Sequence, residues 1–324
     1  MGGRRGLGRA GARPFADARG RRQPRGAFLA PLAWRGGTAV LERVVVFHHP
    51  RSEGAAALSR QLASELERHG VETFVADAWE QAGAAHVERA SLVVCIGGDG
   101  TVLRAARIVV PHATPILGVN MGRLGFLTDM SPRDLFTHFE RILAGEWRLE
   151  ERVMVRADVL DGPAAEPLTF HGLNDIVLSR QHVGRPIYID VRIDGARVAV
   201  YRCDGIIVAT PTGSTGYSLA AGGPIMAPTE HHLVLTPVSA HLALGRSLVL
   251  QPDSVVDLRV ASEHEGILSV DGQEDLPVSN RVRVLVRLSE HITRFVRFRD
   301  PSSFYAELAE KLEGTLSSPM SNGV

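Results

Sequence analysis

Short apolar runs alternate with stretches of helical spacing through the first part of the chain. Residues 44–47, 71–76, 91–96 and 115–119 are rich in β-branched side chains and read as strands. Between the first two, Leu58, Leu62, Ala63 and Leu66 mark a helix that closes at Gly70. Beyond residue 96, Val102, Ala105, Ala106, Val109 and Val110 mark another, with Thr101 placed to cap it. Ser131 and Pro132 stand as N-cap and first residue of a third, carrying Leu135, Phe139, Ile142 and Leu143 on one face and stopping at Gly145. Strands joined by helical crossovers predict a parallel sheet, with ligands at the carboxyl ends of its strands.

From Trp147 onward the period changes to two. Val153, Val155, Ala157 and Val159 alternate with Met154, Arg156 and Asp158; residues 187–193 alternate as well, and Asp194-Gly195 is a hairpin turn signal before 197–201. Val256, Leu258 and Val260, then Val282, Val284 and Val286, continue the pattern. Asp300 and Pro301 start a last helix with Phe304, Leu308 and Leu312 spaced by four. The expected fold is an α/β N-terminal domain with a parallel sheet (41–147), then a mostly antiparallel β domain (148–299). A C-terminal helix and tail (300–324) follow, the helix packing back on a domain surface.

Residues 1–40 are rich in Arg, Gly, Ala and Pro, and Asp17 is the only acid before Glu42, so a disordered leader is expected. A transit peptide and a nucleic-acid-binding tail are the other readings. A transit peptide is Ser-rich and this stretch has no serine, which favours a leader without function. Over the whole chain of 324 residues a hydrophobic fraction of 44% fills two cores, and a formal net charge of zero provides no global basic field. Small-molecule partners are expected rather than nucleic acid or a membrane. The two cysteines, Cys95 and Cys203, read as reduced thiols of a cytoplasmic protein.

The candidate chemistry begins at GGDGT, residues 97–101, where a buried strand meets a helix start. Gly97, Gly98 and Gly100 let the backbone approach a ligand, and helix-start amides attract an anion. Asp99 is the odd residue. A carboxylate beside a phosphate is repulsive unless it holds a metal ion or accepts the proton of an attacking hydroxyl. The pattern is neither a Walker A loop nor a GxGxxG fingerprint. A second glycine-rich segment, DGIIVATPTGSTGYSLAAGGP at 204–224, presents hydroxyls at Thr210, Thr212, Ser214, Thr215 and Ser218, with Tyr217 as a stacking ring. Asn174-Asp175 lies between the two. The pairs His48-His49 and His231-His232 match no metal-ligand spacing, and no metal ligand is assigned.

GGDGT, NMGRLGFLTD at 120–129, LND at 173–175, the segment 204–224 and DGQ at 271–273 together resemble the NAD kinase family of the diacylglycerol-kinase-like superfamily, across about residues 42–315. The resemblance implies phosphoryl transfer from ATP, or in some members polyphosphate, to the adenosine ribose 2′-hydroxyl of NAD, with a divalent cation such as Mg2+. Asp99 matches the family's proton acceptor, and Gly98, Gly100 and Arg104 match positions contacting the substrate. Asn174 and Asp175 match the pair that binds the dinucleotide; Arg185, Arg202 and Asp204 match further binding positions. Thr215, Gly216, Tyr217, Ser218, Leu219 and Ala220 match the segment around adenine and ribose, and Gln273 closes the set. The family forms dimers or tetramers in which second-domain residues complete a neighbour's site. Asp175 stands where many members have Glu, Gly216 where Ala and Ala220 where Ser are frequent, and 236–247 is looser than the common pattern while keeping His241 and Arg246. A lipid or sphingoid-base kinase of the same superfamily, needing a broad apolar acceptor cleft, and a non-catalytic NAD-sensing module are the alternatives.

Overall fold

The computed structural model describes residues 41–80, 84–122, 125–162, 166–182, 184–240, 245–299, 304–306 and 308–310. The leader 1–40, Arg123 and Leu124, His241, and Asp300, Pro301 and Leu312 of the last helix lie outside the described residues.

The parallel sheet forms as its apolar runs predict. β1 (Arg43–His48), β2 (Glu72–Asp77), β3 (Leu92–Gly97) and β4 (Ile116–Asn120) pair in parallel in the order β2-β1-β3-β4. Alternation along β1 sends Val44 and Val46 to one face and Val45 and Phe47 to the other, and both faces are covered. α1 (Glu53–Arg68), capped by Ser52, supplies Leu58, Leu62 and Leu66 to the first of these cores. α2 (Ala84–Val87) is a single turn, and α3 (Asp99–Ile108) supplies Val102, Ala105 and Ala106 to the second core. Thr101 is not the cap of α3. Gly98 holds that position, and Thr101 is buried in the first turn against Gly97, where a Cβ would overlap its hydroxyl. The helix expected from Ser131 starts there with a capping box to Asp134 but is broken at His138 into α4 (Pro132–Thr137) and α5 (Phe139–Leu143).

The rest is antiparallel: β5 (Arg148–Leu160), β6 (Leu168–Gly172), β7 (Asp175–Arg180), β8 (Ile187–Ile193), β9 (Ala196–Cys203), β10 (Gly205–Ala209), β11 (Val234–Val238), β12 (Leu248–Val249), β13 (Val256–Val260), β14 (Gly266–Val270), β15 (Glu274–Val278) and β16 (Arg283–Arg297). Only α6 (Tyr217–Ala220) interrupts them with an α-helical turn among the described residues. Asp194 and Gly195, at φ of 52° and 81°, make the β8–β9 turn as the sequence signals. β16 pairs in parallel with β4 at Phe295 and Ile116, so β1–β4 continue through β16, β13, β8 and β9 as one ten-stranded sheet, with β5 and β6 beside β16. The other sheet runs β12-β11-β10-β7-β14-β15. Apolar side chains of β5, β8, β13 and β16 meet those of β7, β10, β11 and β14 in a sandwich core. Residues 304–306 and 308–310 are helical, and Leu308 is buried, so the last helix packs back on the protein.

Candidate active site

β3 delivers the chain to α3 through Gly97 and Gly98, and the first helical residue is Asp99. A carboxylate at a helix N-terminus is favoured by the dipole, and this one is held further. Its Oδ2 accepts from the Phe126 amide at 2.9 Å and its Oδ1 from the Leu127 amide at 3.1 Å. The donor loop is pinned from below: Met121 N donates to Gly97 O at 3.0 Å, and Asn120 Nδ2 and Gly125 N both donate to Thr128 Oγ1 at 3.1 Å. Gly125 lies so close that a Cβ there would overlap the Asp99 carboxylate. Asp99 stays half-buried, and each oxygen keeps a lone pair for a further donor. Arg104, on the same helix, lies over the Trp79 ring with 5.2 Å to its centroid, and Trp79 meets the His49 edge at 4.9 Å. This places Arg104 at the carboxyl ends of β1 and β2.

The DGQ turn ties the second half together. Asp271 and Gly272 adopt φ of 53° and 62° between β14 and β15. The Asp271 carboxylate accepts amides from Leu173 at 2.9 Å, Asn174 at 2.7 Å and Asp175 at 3.1 Å, and its own amide donates to Asp175 O at 3.0 Å. On their other side these residues meet the glycine-rich segment. Thr210 donates its hydroxyl to Leu173 O at 2.5 Å and its amide to Asn174 O at 2.8 Å, while Gly213 packs so tightly on Asn174 that a Cβ would overlap its carbonyl. Gln273 Nε2 then donates to Gly100 O at 3.1 Å, and Arg107 of α3 ion-pairs with Glu274. Gln273 Oε1 is buried with no hydrogen-bond partner among the described residues. Gly98, Asp99, Gly100, Asn174, Asp175, Thr215, Gly216 and Gln273 thus converge. Burial, and then the neighbouring Asp271 charge, push the Asp175 carboxyl up to about 7. Burial also raises Asp271, against its three amide hydrogen bonds.

Other site residues from the sequence do not join them. β10 pairs with β7 from Gly205 opposite Ser179 to Ala209 opposite Asp175, so Asp204 precedes the far end of a strand that rises about 3.3 Å per residue. Asp204 is ion-paired to Arg180 at 2.7 Å, and Arg185 and Arg202 are exposed. The hydroxyls read as ligand partners are engaged within the protein. Ser214 donates to Pro211 O at 2.6 Å, Thr215 to Thr212 O at 3.2 Å, and buried Ser218 meets Thr236 at 3.2 Å. Tyr217 is 48% exposed, with its ring open for stacking, Leu219 is half-buried and Ala220 exposed.

One set of residues had no signal as a site in the sequence reading. A cavity of about 60 Å³ beside Phe126, Thr212 and Thr215 is floored by Glu150, Arg152 and Arg297. Its lining mixes these charged side chains with Phe126, Pro211, Pro228 and Phe304. The spacing that puts Arg148, Glu150 and Arg152 on one face of β5 reads in the sequence as the solvated face of an alternating strand. One metal-ligand-type cluster, His171, Glu290 and His291, also occurs among the described residues, but Glu290 is taken by Arg156 at 2.5 Å.

The ATP-NAD kinase N-terminal domain family matches residues 38–147, and the ATP-NAD kinase C-terminal domain family matches residues 173–298. An NAD kinase of Dehalococcoides mccartyi is 39% identical over 274 residues, covering 84% of this chain and 96% of the relative. An NAD kinase of Chloroflexus aurantiacus is 41% identical over 275 residues, covering 84% and 99%. Among solved structures, an Archaeoglobus fulgidus NAD kinase in complex with ATP superposes with a TM-score of 0.69 at 25% identity, covering 84% of this chain and 98% of that one. Yeast NADH kinase complexed with NADH has the same fold, with a TM-score of 0.76 at 22% identity over 88% and 91% of the two chains. On these matches and on the site they enclose, the chain belongs to the ATP-NAD kinase family.

Proposed function

We propose that the chain transfers the terminal phosphoryl group of ATP to the adenosine ribose 2′-hydroxyl of NAD, giving NADP. The observation that carries this reading is Asp99, a half-buried carboxylate clamped by two amides and joined through Gly100 and Gln273 to the loop that holds Asn174 and Asp175. Its remaining lone pairs accept the proton of the attacking hydroxyl, a role worth about 10²- to 10⁴-fold in rate. Gly98 and Gly100 bring the backbone close to the donor phosphates, and Arg104 offsets their charge. Asn174 and Asp175 hold the dinucleotide, with Thr215, Gly216 and the open Tyr217 ring beside adenine and ribose. A divalent cation such as Mg2+, which keeps water and takes phosphate oxygens, would be carried by the phosphates of ATP, leaving the lone pairs of Asp99 for the proton, and would neutralise charge on the transferring group.

The position of Arg185, Arg202 and Asp204 at the far end of β10 supports a dimer or tetramer in which they complete a neighbouring copy's site. Two buried free thiols support a cytoplasmic setting, and no helix among the described residues is long and apolar enough to cross a membrane. The test incubates purified protein with NAD, ATP and Mg2+, beside Asp99→Asn, and reads NADP with an NADP-specific dehydrogenase. NADP from the wild type alone supports the reading. NAD binding without NADP from either ATP or polyphosphate overturns it in favour of a sensing module.

A further inference from the structure

β5 and β16 run side by side beneath the site, with Glu150 opposite Phe295 and Arg148 opposite Arg297. Alternation places Arg148, Glu150 and Arg152 on one face of β5, a face that is covered rather than wet, because Arg152 and Arg297 are buried. Two buried guanidinium groups side by side need a shared anion. Glu150 Oε1 supplies it, accepting from Arg152 Nε at 2.9 Å and Nη2 at 2.6 Å and from Arg297 Nε at 3.0 Å. Each arginine turns another nitrogen to a different site loop. Arg297 Nη1 donates to Leu127 O at 3.1 Å, and Leu127 is the residue whose amide holds Asp99. Arg152 Nη1 donates to Thr212 Oγ1 at 3.2 Å, in the glycine-rich segment. Burial raises the Glu150 carboxyl, and Arg152 and Arg297 outweigh it, holding the group down at about 2. The anion therefore persists across the neutral range.

We propose that Glu150 is a positioning residue for phosphoryl transfer, the common anchor from which Arg297 sets the amides around Asp99 and Arg152 sets the segment that encloses the nucleoside. It fixes the spacing of the two loops without touching either substrate. The inference rests on the kinase reading above.

Separability is its signature. Lysine keeps the charge of arginine but is a point donor without the planar fork that reaches two acceptors at once. Arg297→Lys is expected to lower kcat, by about tenfold to a hundredfold on the scale of a 1 Å misplacement, with the KM for NAD little changed. Arg152→Lys is expected to raise the KM for NAD with kcat near wild type, and Glu150→Gln to do both. The experiment measures kcat, both KM values, thermal unfolding, and amide hydrogen exchange of peptides covering 125–129 and 210–216 for wild type and the three variants. Faster exchange in one segment for each lysine variant and in both for Glu150→Gln, with the matching kinetic split, supports the proposal. Variants that only unfold earlier, with kinetic constants and local exchange unchanged, overturn it. If Glu150→Gln does not fold, the two lysine variants decide alone. If the wild type makes no NADP, the kinase reading fails, and the exchange pattern still decides the anchoring.

Discussion

Asp99 and Asp271 solve the same local problem in two different halves of the molecule. Each carboxylate gathers consecutive backbone amides, two from 126–127 for Asp99 and three from 173–175 for Asp271. The difference is what remains. Asp99 lies half-buried at a helix start with lone pairs to spare, whereas Asp271 is buried and its proton affinity is raised despite its three donors. Amide clamping therefore does not itself mark a reactive carboxylate. The clamp gives position, and access to a substrate gives chemistry.

The largest expected effect separates the two. Asp99→Asn should lower turnover by about 10²- to 10⁴-fold while the protein still folds and binds NAD, measured by coupled assay and by calorimetry with NAD alone. The substitution also turns an NH2 group toward one clamping amide, so a small loss of stability accompanies it. Gly125→Ala tests the clamp while leaving the carboxylate in place. The new methyl overlaps Asp99, and kcat should fall about tenfold to a hundredfold with the circular dichroism spectrum unchanged.

Asp271→Asn should act mainly through stability. One of the three amides loses an acceptor in a buried site, a cost of about 1–3 kcal/mol, read as a lower Tm together with weaker NAD binding. Unchanged stability with lost turnover would reverse the roles assigned to the two carboxylates.

The last test concerns Asp175. Its carboxyl titrates near 7 in the folded protein and at its ordinary 3.8 when unfolded, so between those values the folded state binds more protons. Stability contributed by this group is accordingly present at low pH and falls as pH rises through that window. Asp175→Asn should flatten the decline in unfolding free energy between about pH 4 and pH 7, measured by denaturant titration at several pH values. An unaltered slope would mean that another group titrates there.

How far each half could be read from sequence follows from the range of its contacts. β1 to β4 and their helices carry their own periodicity, and GGDGT announces a tight strand-to-helix turn in which Gly97 leaves no room for a Cβ beside Thr101. LND and DGQ were legible as fragments, but nothing local says that Asp271 meets Leu173, 98 residues away. The hydroxyls of the glycine-rich segment looked like ligand partners because composition shows what a side chain can bond, not which way it turns. Ser214 and Ser218 turn inward. Glu150, Arg152 and Arg297 escaped for the opposite reason. Charged residues in an alternating strand read as the wet face, and only the tertiary structure reveals that loops roof them. Thr101 lost the cap to Gly98 because the carboxylate two residues earlier already opens the helix.

The long last strand has a consequence for how the protein is made. β16 is the partner that closes β4, flanks β5 and joins β13, and it is the last strand in chain order among the described residues. During synthesis β4 and β5, already paired on one side with β3 and β6, must wait for their second partner more than a hundred residues downstream, which makes folding dependent on distant pairings and inherently slow. Until β16 arrives, the open side of β4 is a sticky edge, a period in which the nascent chain depends on protection from other chains.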